Sequence, residues 1–175
     1  LESIFRNPKQ KGIVGEFLLE NLLKNVLPAG QYLIQHKLGV DENTGKELIV
    51  DAVMLVDKNK MIPIDAKFSA YNYNRIVNEK DPRRREELEK LFIQDLKNRI
   101  DETAKYVQPT KGTMDYALMF IPADRIYTDL LDNEIGGVIK SNTRNLIDYA
   151  HEKRVYIVSP TNFYVFLMTI LQGLK

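Results

Sequence analysis

The sequence of 175 residues contains no cysteine and only two histidines, His36 and His151. Without cysteine, the chain cannot form disulfides, thiolate zinc sites or iron–sulfur clusters, and it has no cysteine nucleophile. The two histidines lie far apart in the sequence, so a histidine-rich metal site is not expected. Any metal must therefore be held by oxygen ligands, which points to Mg²⁺, Mn²⁺ or Ca²⁺.

The sequence also lacks a long apolar run and a recognisable signal peptide. The longest apolar stretch, residues 164–171, is interrupted by Thr169 and is shorter than the ~20 residues that span a bilayer. We therefore expect a cytoplasmic segment without membrane contact. The first residue is Leu1 and not Met, which suggests a fragment of a longer protein and leaves an upstream membrane anchor open.

Charge of one sign is lacking as well, because 25 Lys and Arg residues balance 24 Asp and Glu residues to a net charge of +1. This balance excludes a strongly basic nucleic-acid-binding protein and an acidic tail, so an anionic partner would need a local basic patch. With 44% hydrophobic and 28% charged residues, the composition is that of a globular protein. We expect one domain over residues 1–175.

Hydrophobic periodicity and turn residues predict a mixed α/β fold. Short connections between the first three strands favour antiparallel pairing, and the long helix after them favours a crossover, giving a mixed sheet with helices on both faces. Residues 71–80 are expected to be irregular or a short helix. The other helices are predicted at residues 12–27, 83–107, 124–131, 135–151 and 160–171, and the strands at 31–38, 48–56, 61–68, 116–121 and 155–158.

Two acidic residues fall in apolar strands. A buried carboxylate such as Asp51 needs a cationic side chain, backbone donors or a metal as its partner. Asp65 and Lys67 are two apart on the next predicted strand, so both are expected on one face, which Asp51 can share. Two carboxylates about 5 Å apart repel by ~3 kcal/mol at an effective dielectric near 20, and a divalent cation removes that penalty. A structural Asp65 with a surface Lys67 remains an equally open reading.

Glu16 is a third candidate acid, on the first helix beside Gly12 and Gly15. Glycine costs ~1 kcal/mol in a helix, and here it would let a second backbone approach closely and bring Glu16 to the other acids. A solvent-exposed Glu16 is the alternative. A nucleotide-binding loop at Gly12-x-x-Gly15 is a further reading, but no strand precedes these glycines as such a loop requires.

Together these motifs resemble the RmuC family of DNA recombination proteins. They are Gly12-x-x-Gly15-Glu16, Tyr-x-x-Gln-His at 32–36, the apolar strand with Asp51, and Ile-Asp-Ala-Lys-Phe at 64–68 followed by Tyr71. Later matches are Phe-Ile-Pro at 120–122 with Asp124, and Val-Ser-Pro-Thr at 158–161. The matches cover nearly the whole chain in order.

The resemblance implies a restriction-endonuclease-like core of the PD-(D/E)xK nuclease superfamily. It implies that Asp51, Asp65 and the Ala66 carbonyl hold a metal, with Glu16 beside it. It further implies that Lys67 is the catalytic lysine and that Gln35 and Tyr71 line the site.

The chain departs from the family pattern in three places. Val50 replaces the usual proline before Asp51, which keeps the acid. Arg99-Ile100 and Lys105-Tyr106 do not match the spacing of the family's His-Ile and Lys-Tyr pairs. An upstream coiled coil, usual in the family, is not in this sequence.

A basic cluster at the start of the long helix is the candidate DNA contact. It comprises Arg83, Arg84 and Arg85, with Arg75 shortly before and Tyr71 and Tyr73 nearby. Guanidinium groups and tyrosines suit a phosphate backbone. The acidic residues that follow (Glu86, Glu87 and Glu89) are spaced to pair with these arginines, so a self-paired helix surface is the other reading.

The sequence therefore predicts a Mg²⁺- or Mn²⁺-dependent deoxyribonuclease domain that acts on DNA during recombination through metal-activated water. A homo-oligomer is open, and no small-molecule cofactor is expected. The alternative is an inactive nuclease fold kept for DNA binding or assembly, in which Asp51 and Asp65 are structural and pair with Lys67 or an arginine.

Overall fold

The computed structural model describes residues 8–57, 59–132, 134–135, 139–140 and 144–173. The helices in these ranges are α1 (Pro8–Val26), α2 (Tyr71–Asn78), α3 (Pro82–Ala104), α4 (Asp124–Asp132), α5 (Arg144–Glu152) and α6 (Pro160–Gly173). The strands are β1 (Tyr32–Val40), β2 (Glu47–Asp57), β3 (Lys60–Asp65), β4 (Ala117–Phe120), β5 (Glu134–Ile135), β6 (Ile139–Lys140) and β7 (Val155–Val158). None of the helices in the described ranges is long and apolar enough to cross a bilayer.

The main sheet is mixed, as predicted, with strand order β1-β2-β3-β4-β7. The first three strands form an antiparallel meander because short turns join them. Helices α2 and α3 form the crossover that places β4 parallel to β3, and β7 then pairs in parallel with β4. Strands β5 and β6 form a separate two-stranded ribbon.

Helices cover both faces of the main sheet, which also confirms the prediction. On one face, Leu19 and Leu23 of α1 pack with Phe163 of α6 against apolar side chains of β2, β3 and β4. On the other face, helices α2 to α5 pack against β4 and β7, with Phe92 of α3 at the centre of that core. The segment that follows β3 therefore has helices on both sides of the sheet near it.

Strand β3 ends at Asp65, so the prediction that Lys67 lies on this strand is wrong. The two backbone N–H groups that follow are taken by carboxylates. Ala66 N donates to Asp51 Oδ2 at 2.7 Å, and Lys67 N donates to Asp65 Oδ1 at 3.0 Å. Local side-chain acceptors of this kind compete with the sheet ladder, which explains why the strand stops here.

The predicted helix over residues 135–151 is wrong in its first part. Glu134–Ile135 pairs with Ile139–Lys140 in an antiparallel ribbon, and the helix begins only at Arg144. The sequence Gly-Gly at 136–137 favours a hairpin, and the prediction of a helix over residues 135–151 did not take it into account. Residues 136–138 and 141–143 lie outside the described residues. Residues 71–80, expected to be irregular or a short helix, contain α2, and the remaining elements differ from prediction only at their ends.

Helix α1 crosses the sheet at very close range at Gly15. A Cβ atom at this position would lie 2.5 Å from the backbone oxygen of Ala66, well inside van der Waals contact. The expected close approach at Gly15 is thus confirmed. The contact sets the next residue, Glu16, beside the end of β3.

We predict that Gly15→Ala destabilises the protein by about 1–3 kcal/mol, because the new methyl group meets backbone that cannot rotate away. Gly173→Ala is the matched control, since a Cβ at this helical position would meet nothing within 4 Å. Urea unfolding measures both variants. Equal stability of the two would contradict the close packing of α1 on Ala66.

Candidate functional site

The site is built around two carboxylates on neighbouring strands. In the β2–β3 register Ala52 pairs with Ile64, so one further step places Asp51 opposite Asp65 on the same face. Both are buried, with Asp51 3% and Asp65 0% exposed. The expectation that these acids share one face is confirmed, and the electrostatic cost of burying them must be met by nearby groups.

Asp51 is held mainly by the segment that follows β3. Its Oδ2 accepts the Ala66 N–H, and its Oδ1 accepts a hydrogen bond from Lys67 Nζ, with which it forms an ion pair. Gln35 is on strand β1, and its Nε2 lies 3.5 Å from the same Oδ1 of Asp51. Lys67 thus reaches across to Asp51 and contacts Asp65 only through its backbone.

Asp65 is held by helix α3, which sequence reasoning did not assign to the site. Thr103 Oγ1 donates to Asp65 Oδ2 at 2.7 Å. Arg99 Nε lies 2.9 Å from the same oxygen as an ion pair, although its N–H is not aligned for a hydrogen bond. Burial raises the pKa of Asp65 even though the charge of Arg99 opposes it.

Glu16 joins the other two acids from helix α1. Burial, followed by the negative charge of Asp51 and a hydrogen bond to it, raises the pKa of Glu16, and the charge of Lys67 only partly offsets this. The reading of Glu16 as a solvent-exposed helix residue is therefore wrong. When Glu16 is ionised, three carboxylates face two cations, Lys67 and Arg99, and the site then carries one excess negative charge.

Lys67 connects the buried acids to an open cleft. Burial opposes its charged form, but the hydrogen bond and charge of Asp51 outweigh this and raise the pKa of Lys67. Its side chain is 38% exposed and reaches the wall of a cleft of about 350 Å³. Other residues of that wall include Tyr71, Asn72, Asn98, Arg99 and Glu102. Lys67 is therefore a protonated donor positioned between the acids and solvent.

Gln35 adopts an unusual backbone conformation at the site. Its φ is +52°, in the left-handed region that non-glycine residues rarely occupy. Such strain is commonly found where the surrounding structure needs a particular side-chain placement. Here it accompanies the approach of Gln35 to Asp51, in line with the site-lining position implied by the resemblance.

The arginines of the predicted basic cluster are partly exposed to solvent and partly close to neighbouring glutamates. Arg84 is exposed and lies 3.6 Å from Glu79, while the charge of Arg85 acts on Glu89 one turn later. Arg84 also lines a second cleft of about 290 Å³, together with Arg75 and Tyr71. Tyr71 lies in the walls of both clefts, so these basic residues are adjacent to the acidic site.

Two aspects of the basic cluster differ from expectation. Arg85 acts on Glu89 through its charge, whereas Arg84 pairs backwards with Glu79 and not with the glutamates that follow. Tyr73 cannot contact DNA, because it is buried and its hydroxyl donates to Asp129 Oδ2 at 2.5 Å. Arg83 is exposed at the start of α3, where its backbone N–H donates to the capping residue Asp81.

The donor atoms at the site determine which metal it could hold. In the part of the chain that the structure describes, no group of three or more His, Asp or Glu side chains is arranged to hold a metal ion. The donors that do converge are hard carboxylate oxygens of Glu16, Asp51 and Asp65, the type that Mg²⁺ and Mn²⁺ prefer. When all three are ionised, their excess negative charge also suits a cation. The donor set therefore fits Mg²⁺ in chemistry, while Lys67 and Arg99 occupy part of its coordination space.

The structure thus brings together the four residues on which the sequence argument rested: Glu16, Asp51, Asp65 and Lys67. Sequence reasoning missed Arg99 and Thr103. The available signal was their position, four residues apart beside the apolar face of a long helix, where a charged and a hydroxyl side chain need buried partners. It also missed Tyr106, which is buried, donates to the Ile49 carbonyl at 3.2 Å and lies within electrostatic range of Lys67.

Comparison with known proteins gives a clear family assignment. The model of the RmuC family matches residues 1–175. The chain belongs to the RmuC family. Its match to the DNA recombination protein RmuC of Escherichia coli K12 is 28% identical over 165 residues, covering 93% of this chain and 33% of that protein.

Other RmuC relatives give the same picture. The DNA recombination protein RmuC homolog of Zymomonas mobilis is 26% identical over 93% of this chain and 35% of its own length. The homolog of Vibrio cholerae is 26% identical over 93% of this chain and 30% of its own length. The chain therefore spans about a third of the length of these curated relatives. No solved structure matches the chain.

We predict that Glu16→Gln raises the melting temperature at pH 8, measured in the presence of a chelator. A carboxyl group with a raised native pKa favours folding below the ordinary Glu pKa of about 4.3, and this contribution is lost as the pH rises through the raised value. Gln mimics the protonated form, so the gain should appear at pH 8 and vanish at pH 4. Exposed Glu20 on the same helix supplies the control variant Glu20→Gln, and identical behaviour of the two variants would refute the assignment.

Proposed function

We propose that this chain is a Mg²⁺- or Mn²⁺-dependent deoxyribonuclease domain of a DNA recombination protein. The observation that supports this proposal is the convergence of Glu16, Asp51, Asp65 and Lys67 at the end of β3. Such a set of oxygen donors beside a protonated lysine is suited to phosphodiester hydrolysis. The names of the RmuC relatives, which refer to DNA recombination, support DNA as the substrate.

In this proposal Asp51 and Glu16 would hold the cation, with Asp65 as a further ligand and the Ala66 carbonyl close by. The bound cation would supply Lewis acidity and lower the pKa of a water molecule. Lys67 remains protonated because of Asp51, so it suits the stabilisation of negative charge on the phosphate better than proton abstraction. Gln35 would help to fix the orientation of Asp51.

DNA would approach along the two clefts that meet at Tyr71. Arg75 and Arg84 line the cleft of about 290 Å³, which we call the outer cleft. Lys67 lines the cleft of about 350 Å³, which we call the inner cleft. Exposed guanidinium groups contact phosphates without sequence preference, and a tyrosine can stack on a base or sugar. The near-zero net charge is compatible with this path because the basic residues lie together on one side of the site.

We expect Asp51→Asn and Lys67→Ala each to lower the rate of Mg²⁺-dependent DNA cleavage by roughly 100-fold or more. The assay follows labelled single-stranded and double-stranded oligonucleotides on denaturing gels. Lys97→Ala is a matched control, because Lys97 is exposed and belongs to a second Asp-x-Lys triplet, at residues 95–97 of α3. Unchanged cleavage by Asp51→Asn or Lys67→Ala, with correct folding, would contradict the mechanism.

A second candidate is a nuclease-like fold retained for DNA binding or assembly without turnover. It is favoured by one observation, namely that each buried carboxylate already has a protein cation, Lys67 for Asp51 and Arg99 for Asp65. Mn²⁺ titration by calorimetry separates the two candidates. Binding that Asp51→Asn abolishes supports the nuclease, and DNA binding without any Mn²⁺ binding supports the alternative.

Replacing both Arg83 and Arg84 by Gln should weaken DNA binding uniformly across sequences. The plot of log affinity against log salt concentration should become less steep by about one for each phosphate contact that is lost. The double variant should therefore reduce the steepness by about two. Fluorescence anisotropy at several salt concentrations measures this slope. The double variant Lys24→Gln, Lys46→Gln removes the same charge from exposed positions elsewhere, and an equal loss in both variants would rule out a local DNA contact.

A further inference from the structure

Arg99 and Thr103 share a single acceptor atom at the centre of the site. They lie one turn apart on α3, and both approach Asp65 Oδ2, Thr103 Oγ1 at 2.7 Å and Arg99 Nε at 2.9 Å. Side chains four residues apart on a helix lie on the same face, which allows this joint contact. The helix backbone therefore fixes both partners of Asp65 at once.

The two oxygens of Asp65 are used unequally. Oδ2 has two side-chain partners, whereas Oδ1 accepts, among the residues that the structure describes, only the backbone N–H of Lys67 at 3.0 Å. A carboxylate oxygen offers two lone pairs, so Oδ1 retains accepting capacity. Rotation of the carboxylate would break the contacts at Oδ2, and the fully buried position of Asp65 gives it no water to replace them.

The Thr103 hydroxyl has one proton and two acceptors within reach. Its Oγ1 lies 2.8 Å from the Arg99 carbonyl as well as 2.7 Å from Asp65. A hydrogen bond to an ionised carboxylate is stronger than one to a neutral carbonyl, so the proton should go to Asp65. This bond and the ion pair with Arg99 fix Asp65 Oδ2 against α3.

We propose that Arg99 and Thr103 are positioning residues that hold Asp65 by Oδ2 and leave Oδ1 as its oxygen for a divalent cation. This inference rests on the proposed metal-dependent function. Partners that orient a ligand in this way are commonly worth 10- to 100-fold in metal affinity. Arg99 also lines the inner cleft and is 20% exposed, so it holds the acid from the side that faces a substrate.

The test is the affinity for Mn²⁺, measured by calorimetry and by the loss of the free-ion electron paramagnetic resonance signal. We expect Thr103→Val, which keeps the shape and removes the hydroxyl, to bind Mn²⁺ roughly 10-fold more weakly. Thr103→Ser restores the hydroxyl and should bind like the wild type. Thr128→Val is the control, because Thr128 makes the same bond to the carbonyl four residues earlier but is exposed on α4.

The outcomes separate this inference from the function on which it rests. If the wild-type chain binds no Mn²⁺, the proposed function fails and this inference fails with it. If the wild type binds Mn²⁺ and Asp65→Asn does not, but Thr103→Val binds as tightly as wild type, only the positioning role is overturned. If Thr103→Val does not fold, Arg99→Lys tests the inference instead, because it keeps the positive charge but loses the guanidinium geometry. Wild-type Mn²⁺ affinity in Arg99→Lys would overturn the inference.

Discussion

The burial of two carboxylates at opposed positions of β2 and β3 is the constraint on which the site depends. Burying a carboxylate in such a position is strongly unfavourable unless donors and positive charge lie nearby. The chain meets this need from separate segments: the Ala66 and Lys67 backbone, the Lys67 side chain, and Arg99 with Thr103 on α3. The end of β3, the course of the chain after it and the seating of α3 all follow from these contacts.

The approach of α1 adds a third acid and changes the charge balance. Gly15 lets the helix backbone come against Ala66, and Glu16 then lies beside Asp51 with a raised pKa. A purely structural network would be more stable with equal numbers of opposite charges. The extra carboxylate, placed where a glycine is required to admit it, is difficult to explain by stability alone and is consistent with a place for a cation.

Much of this arrangement is predictable from the sequence, and the exceptions have physical reasons. Apolar strands with single acids predicted Asp51 and Asp65 on one face, because strand periodicity is local and register follows from short turns. The partners of Asp65 were not predictable, because α3 lies 38 residues further along at Thr103 and nothing local fixes which face meets the strand. Lys67 was misplaced on the strand because side-chain acceptors ended the ladder at Asp65. The ribbon of β5 and β6 was missed because the apolar spacing of residues 135–151 was given more weight than the Gly-Gly sequence at 136–137.

The central claim is that Glu16, Asp51 and Asp65 form a binding site for a divalent cation. Anomalous diffraction from a crystal of the chain soaked in Mn²⁺ tests it most directly. The account predicts one strong anomalous peak at coordinating distance, about 2.0–2.2 Å, from oxygens of Asp51, Glu16 and Asp65, with Lys67 Nζ moved away from Asp51. A well-ordered soaked crystal with no peak at these residues, and with the Lys67–Asp51 and Arg99–Asp65 pairs intact, would contradict it.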